Sequence, residues 1–386
     1  MKRFLIVVPP LVGHVNPTVS IARELSGRGH RVAWAAHPRR VRPLLPEGAE
    51  LIPLDDRVSD EVWSPLVDRA RNVRGLESYQ FLWEEVLVPL ARAMRPEIEQ
   101  AIAAFAPDAV LVDHQAIGGA LAARRAGVRW ATLCTTSASV VDALVDLPKV
   151  KAWTAEQLRA LEGEAGLPAQ EPPDLSPQLV IVLSTAALVG PTDKFPAHYR
   201  FVGPSIQDRP DATPFPWEAL EDKPRVLVSL GTISADRGDD FYGTVVKALE
   251  GAAMQVVLVA PDGRVPAPPS NFIVRSRVPQ LALLRHVQAV VSHGGHNTVC
   301  EALANGVPLV VTPIRDDQPI VANQVVASGA GLRLRFGRLV AASLRTAVER
   351  VLLEPAFREA AERIKASFAE ASGATSAADH LEHLAS

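Results

Sequence analysis

Short apolar runs alternate along this chain with longer stretches in which apolar residues recur at helical spacing. FLIVVPP (4–10), RVAWAA (31–36), DAVLVD (108–113), RWATLCT (129–135) and LVIVLS (179–184) read as strands. Their hydrophobicity is continuous rather than alternating, which marks strands buried on both faces, as in a parallel sheet under helices. Between them lie amphipathic helix candidates, NPTVSIARELSGRG (16–29) and AIGGALAARRAG (116–127), with Gly27, Gly29 and Gly127 where such helices end. Residues 203–224, GPSIQDRPDATPFPWEALEDKP, lack periodicity and are rich in Pro and Asp, as a linker is. The alternation then restarts with RVLVSLG (225–231), MQVVLVA (254–260), NFIVRS (271–276), QAVVSHG (288–294) and VPLVVTP (307–313). The pattern predicts an α/β protein of two doubly wound domains. The first covers residues 1–204, a linker 205–224, the second domain 225–360, and a helical tail without a strand 361–386.

A chain of 386 residues agrees with two domains. A net charge of -3 gives no electrostatic case for nucleic acid or an anionic membrane as partner. Two separated cysteines, Cys134 and Cys300, fit a reducing cytoplasm. The start, MKRFLIVVPPLVGH, resembles a signal peptide only briefly, because Pro9-Pro10 break its apolar core and no small-residue cleavage site follows. It reads as a first buried strand. No apolar run reaches the roughly 18 residues of a membrane span.

No G-x-G-x-x-G follows the first strand, and neither a P-loop nor a G-x-S-x-G elbow occurs. The stretch VVSHGGHNTVCEALANGVPLVV (290–311) carries more. A strand ends near His293, a helix stopped by Gly306 follows, and Thr298 with Glu301 has capping-box spacing. Gly294-Gly295 then form a tight turn at a helix N-terminus, where backbone N–H groups and the helix dipole attract a phosphate. His293 can donate to a phosphate oxygen, and Glu301 can accept from sugar hydroxyls. A zinc reading would use His293, His296 and Cys300. It lacks a fourth ligand nearby and the H-E-x-x-H pattern, so no metal is expected and Cys300 reads as a packed thiol.

In the N-terminal half, His14 follows the first strand on a loop before a helix, and Asp113 ends another strand at the same carboxyl edge. Open α/β sheets bind ligands there. A carboxylate that fixes an imidazole tautomer makes a general base. The alternative is that His14 caps a loop and Asp113 a helix. Trp63, Tyr79, Phe81 and Trp83 lie in a helical pattern within 56–105. They read as a helical hairpin feeding the core or as the wall of a pocket for an apolar acceptor.

The run from VPQLALLRHVQAVVSHGGHNTVCEALANG through PLVVTPIRDDQPIVANQVVASGAG, with GHVNP near the start and SLGT at Ser229–Thr232, resembles glycosyltransferase family 1. The likeness spans nearly the whole chain in order. It implies the GT-B fold, two Rossmann-like domains facing across a cleft, with the C-terminal helix returning to the first. It also implies an inverting, metal-independent bacterial enzyme, cytoplasmic, without a cofactor, moving a sugar from a UDP- or TDP-sugar to a small lipophilic natural product. In that likeness His14 is the base and Asp113 its partner. His293, Gly295, Asn297, Thr298 and Thr232 meet the diphosphate, and Glu301 the ribose. Val278 and Gln280 hold base and ribose, while Asp317 and Gln318 hold the sugar hydroxyls. Arg277 stands where plant members have a stacking Trp, which leaves the base preference open. Asp239-Asp240 reads as a solvated pair. A nucleotide-sugar epimerase of the same architecture and a non-catalytic binding helper are the rival readings.

Overall fold

The computed structural model describes residues 1–56, 75–141, 147–206, 213–231 and 239–386. It divides into two units: Met1–Ser184 with Thr192–Ile206 and Ala371–Ser386, and Thr185–Pro191 with Gln207–Glu370.

The first unit is built on a seven-stranded parallel sheet. Its strands are β1 (Arg3–Val7), β2 (Arg31–Ala36), β3 (Glu50–Pro53), β4 (Ala109–Asp113), β5 (Trp130–Cys134), β6 (Val180–Val182) and β7 (Tyr199–Phe201), in the order β3-β2-β1-β4-β5-β6-β7. The continuous hydrophobicity of β1 now has its cause. Phe4 and Ile6 enter one core with Val15, Ile21, Leu25 and Leu381, whereas Leu5 and Val7 enter another with Leu90, Met94 and Ile98. Both faces are covered, so neither parity can be polar. The sheet winds outward in both directions from β1 and β4, and their carboxyl ends form a topological switch point.

Helix α1 runs Val12–Gly27, starting earlier than the pattern predicted and tolerating Pro17 inside it. His14 therefore sits in the first helical turn, not on a loop. Residues Gly75–Phe81 lead through a π-helical stretch, Leu82–Leu87, into α2 (Val88–Phe105). Helix α3 (Ile117–Ala126) ends on Gly127 in the left-handed region, and α4 is Pro148–Glu164. Trp83 is buried in a cluster with Leu87, Ile117, Leu121 and Leu158. Tyr79 packs beside it, and its hydroxyl lies 3.1 Å from Thr154 Oγ1 on α4. Phe81 is half-buried, and Trp63 lies outside the described residues.

The second unit repeats the plan with six parallel strands, β8 (Arg225–Ser229), β9 (Gln255–Val259), β10 (Phe272–Arg275), β11 (Ala289–Ser292), β12 (Leu309–Val311) and β13 (Gly331–Arg333). Their order is β10-β9-β8-β11-β12-β13, with the switch point between β8 and β11. Its helices include α5 (Asp239–Leu249), α6 (His296–Ala304), α7 (Gln318–Ala327), α8 (Ala341–Leu353) and α9 (Pro355–Ala371). The last helix, α10 (Ala374–Leu384), belongs to the first unit. Ala377, Ala378 and Leu381 are buried with Phe4 and Leu25. Arg28 holds Asp379 and Glu382, each at 2.6 Å.

No helix among the described residues is long and apolar enough to cross a membrane.

Candidate active site

The switch point of the first unit gathers four polar side chains. Asp113, the last residue of β4, is buried, and its Oδ1 accepts the Gln115 N–H at 2.8 Å. Nδ1 of His14 is 2.9 Å from both Asp113 oxygens and 2.9 Å from Thr135 Oγ1. The Thr135 hydroxyl donates to Asp113 Oδ2 at 2.8 Å. A hydroxyl has one proton, and this one is used on the carboxylate. Toward His14, Thr135 can only accept, as can both carboxylate oxygens. All three atoms require Nδ1 to carry the proton. The lone pair of a neutral His14 is thereby placed on Nε2, as a general base requires.

Burial works against the Asp113 charge, but His14, His114 and the Gln115 N–H outweigh it and hold the carboxyl below its ordinary range. His114 lies beside the pair, its ring tilted over that of His14 at 5.4 Å between centroids. Thr135 and His114 were not picked out from the sequence. Thr135 directly follows a buried parallel strand, and that position at the carboxyl edge was the available signal.

The second unit answers with glycines. The His293 ring, at the end of β11, is wedged between Gly231 and Gly295. A Cβ on Gly231 would lie 2.6 Å from its Cε1, and one on Gly295 would lie 2.6 Å from its Nε2. Two serines set the turns on either side: Ser229 Oγ accepts the Gly231 N–H at 3.2 Å, and Ser292 Oγ the Gly294 N–H at 3.1 Å. Gly294 has φ +84, which reverses the chain so that α6 begins at once at His296. This overturns the capping-box reading. Gly295 is the N-cap, and no side chain caps the helix, which puts Thr298 inside the first turn. The anion-binding geometry stays, because the first N–H groups of a helix have no partner within it. Burial pushes the His293 imidazole down to about 4, with Asp317 opposing and nearby Arg315 assisting, so at neutral pH the ring is an uncharged donor.

Gln280 Nε2 donates to Glu301 Oε2 at 2.6 Å, so these two expected donor residues meet. Val278 is half-buried just before Gln280, and Asn297 and Thr298 are half-buried in the first turn of α6. Asp317 occupies the N-cap position of α7 but makes no capping hydrogen bond. Gln318 is buried, and its Oε1 accepts the N–H groups of Ile314 and Arg315 at 2.9 and 3.1 Å. The amide thus braces the loop after β12 with its oxygen. Thr232 lies outside the described residues.

His296 and Cys300 do meet, with Sγ 3.4 Å from Nε2, but both are buried and burial pushes the thiol pKa up, away from the thiolate a metal needs. Among the described residues, three side chains able to ligate a metal come together only at His14, Asp113 and His114.

The chain is similar to known glycosyltransferases in sequence and fold. The family model for UDP-glucoronosyl and UDP-glucosyl transferase matches residues 218–368. The NDP-glycosyltransferase YjiC of Bacillus licheniformis is 29% identical over 397 aligned residues, covering 99% of this chain and 97% of that protein. The 4'-demethylrebeccamycin synthase of Lentzea aerocolonigenes is 29% identical, covering 99% of both. Among solved structures, the calicheamicin glycosyltransferase CalG4 superposes with a TM-score of 0.81 at 26% identity, over 100% of this chain and 98% of the other.

Proposed function

From a chain that is a glycosyltransferase of the natural-product type, with the GT-B fold, we infer an inverting transfer from a UDP- or TDP-sugar to a small lipophilic acceptor. The names of the relatives favour transfer over the epimerase and over the binding helper. The observation that carries the mechanism is the place of His14 Nδ1 within 2.9 Å of both Asp113 oxygens and of Thr135 Oγ1, which favours a proton on that nitrogen.

His14 Nε2 takes the proton of the acceptor as its oxygen or nitrogen attacks the anomeric carbon. Positive charge grows on the imidazole, and Asp113 stabilises it. The bond to the diphosphate breaks on the opposite face of the sugar, and the configuration inverts. Negative charge then collects on the leaving phosphates. Backbone N–H groups at the start of α6, the neutral His293 and Thr232 receive it, an arrangement that stabilises the leaving group without a cation. Gln280 and Glu301 act as one unit on the nucleoside, with Glu301 accepting from the ribose and Gln280 orienting it. Asp317 accepts from sugar hydroxyls, while Gln318 presents the N–H side of an amide whose oxygen is committed to the loop. Tyr79, Phe81 and Trp63 are the acceptor contacts this reading keeps. Trp83, buried among aliphatic side chains with Tyr79 packed against the same cluster, is read as core and not as an acceptor contact.

The test is product mass from an array of phenolic and alcoholic acceptors, with UDP-glucose and TDP-sugars, in the presence of chelator. Addition of one sugar to an acceptor supports the proposal. Epimerised donor with untouched acceptors would replace it with the epimerase reading.

A further inference from the structure

We propose that His14, Asp113 and His114 form a latent transition-metal site, and that filling it shuts off transfer. The ligand atoms of the three lie within 4.8 Å of one another. His14 Nδ1 is 2.9 Å from each Asp113 oxygen, and His114 Nδ1 is 3.7 Å from Oδ1. The set is shielded from water, with side-chain exposures of 15% for His14, 0% for Asp113 and 13% for His114. Two imidazoles and a carboxylate are the ligands of zinc, cobalt and nickel, not of magnesium or calcium, which prefer oxygen alone. Atoms 2.9 Å apart subtend about 90° at an ion bonded to each at 2.0–2.1 Å, and atoms 3.7 Å apart subtend about 130°. Both angles are within reach of such ions; the third pair, His14 and His114, lies within 4.8 Å, against the about 4.1 Å that two such bonds can span, so the adjustment the site needs falls on the two imidazoles.

The inhibition follows from proton placement and rests on the reading of His14 as base. In the resting pair the imidazole proton is on Nδ1. A metal can bond only to a lone pair there, so the Nδ1–H bond breaks and an Nε2–H bond forms. The imidazole stays neutral, no net proton is lost, and Asp113 turns its charge from the imidazole to the ion. Nε2 then presents a hydrogen where the acceptor needs a lone pair. His114 touches the transfer steps above only through the Asp113 charge, so transfer in each His114 variant is compared with and without metal.

The experiment uses untagged full-length chain stripped with chelator. Cobalt(II) is titrated in and followed by visible absorption, zinc is measured by its displacement of cobalt, and transfer is assayed at each zinc concentration. The expected result is one ion per chain, transfer falling in step with occupancy, and at least about tenfold weaker binding in both His114→Phe and His114→Asn. Two variants of different shape guard against one that merely misfolds. No saturable binding below millimolar metal, or equal affinity in wild type and both variants, overturns the site and leaves the base assignment untouched. Binding that depends on His114 while transfer continues at full rate overturns the inhibition, and with it His14 as the base.

Discussion

The His293 ring lies so close to Gly295 that a methyl group there would come within 2.6 Å of its Nε2 and 2.9 Å of its Cε1. Gly295 has φ -61 and ψ 134, a conformation alanine adopts without strain. Its lack of a side chain is therefore spent on the histidine, not on the backbone. Gly295→Ala must displace the ring from the start of α6 while leaving His14 and Asp113 in place. Loss of one hydrogen bond to a phosphate predicts roughly tenfold or greater weakening of UDP binding. Calorimetry with UDP alone checks it. Unchanged affinity would remove His293 from the phosphate site.

Asp113→Asn and Thr135→Val act on the dyad in different ways. The first removes the charge that stabilises the imidazolium, and turnover should fall within the range of about 10² to 10⁴ expected for general-base losses. The second removes only the hydroxyl that orients the carboxylate. A smaller loss in kcat, an altered acid limb of the pH–rate profile and recovery by Thr135→Ser are expected. Equal loss in Thr135→Ser and Thr135→Val would show that Thr135 fills space and no more.

The sheets were legible because strands covered on both faces read as unbroken apolar runs. The strands the pattern missed, β3, β7 and β13, are three of the four edge strands, short and half-exposed, with Glu50, Arg200 and Arg333 among their residues; the fourth, β10, was legible because Phe272 and Ile273 are buried. With at most one fully buried residue each, they lack the unbroken apolar run that gives the signal. His14 and Asp113 were visible because strand ends mark the ligand edge. Thr135 was not, because a threonine at a strand end is ordinary until a partner 121 residues away is placed beside it. The cap of α6 was misassigned for a local reason. Gly294 can take φ +84, so the helix starts before any side chain could cap it.

Acid stability should carry the mark of His293. Its folded pKa is near 4 because burial disfavours the charged ring, against an ordinary 6.5. The unfolded chain then binds the extra proton between these values, so stability falls as pH drops from about 6.5 to 4, by at most about 1.4 kcal/mol per unit from this group. Denaturant melts of wild type and His293→Gln should differ by a constant above pH 7 and by a shrinking wild-type advantage below it. Parallel curves throughout would contradict the neutral imidazole.

Asp317 and Gln318 should set the sugar. A deoxysugar leaves part of this pair without a partner, at about 1–3 kcal/mol per lost hydrogen bond, which favours a glucose-like hexose over a dideoxy sugar. Gln318→Glu keeps the oxygen that holds Ile314 and Arg315 and removes the amide N–H groups. It should narrow the preference for hexose over deoxyhexose in kcat/KM without unsettling the loop. If wild type prefers the deoxyhexose, or if the variant and Asp317→Ala lose both donors equally, the hydroxyl count fails.

Removal of the acceptor proton by His14 Nε2 is decided by single-turnover transfer in His14→Ala beside wild type. Both proteins are preloaded with UDP-glucose and mixed with an alcohol acceptor that wild type glycosylates, with UDP affinity measured in parallel. The expected result is unchanged UDP affinity and a transfer step slowed by about 10² to 10⁴. Transfer in His14→Ala at the wild-type rate would contradict it.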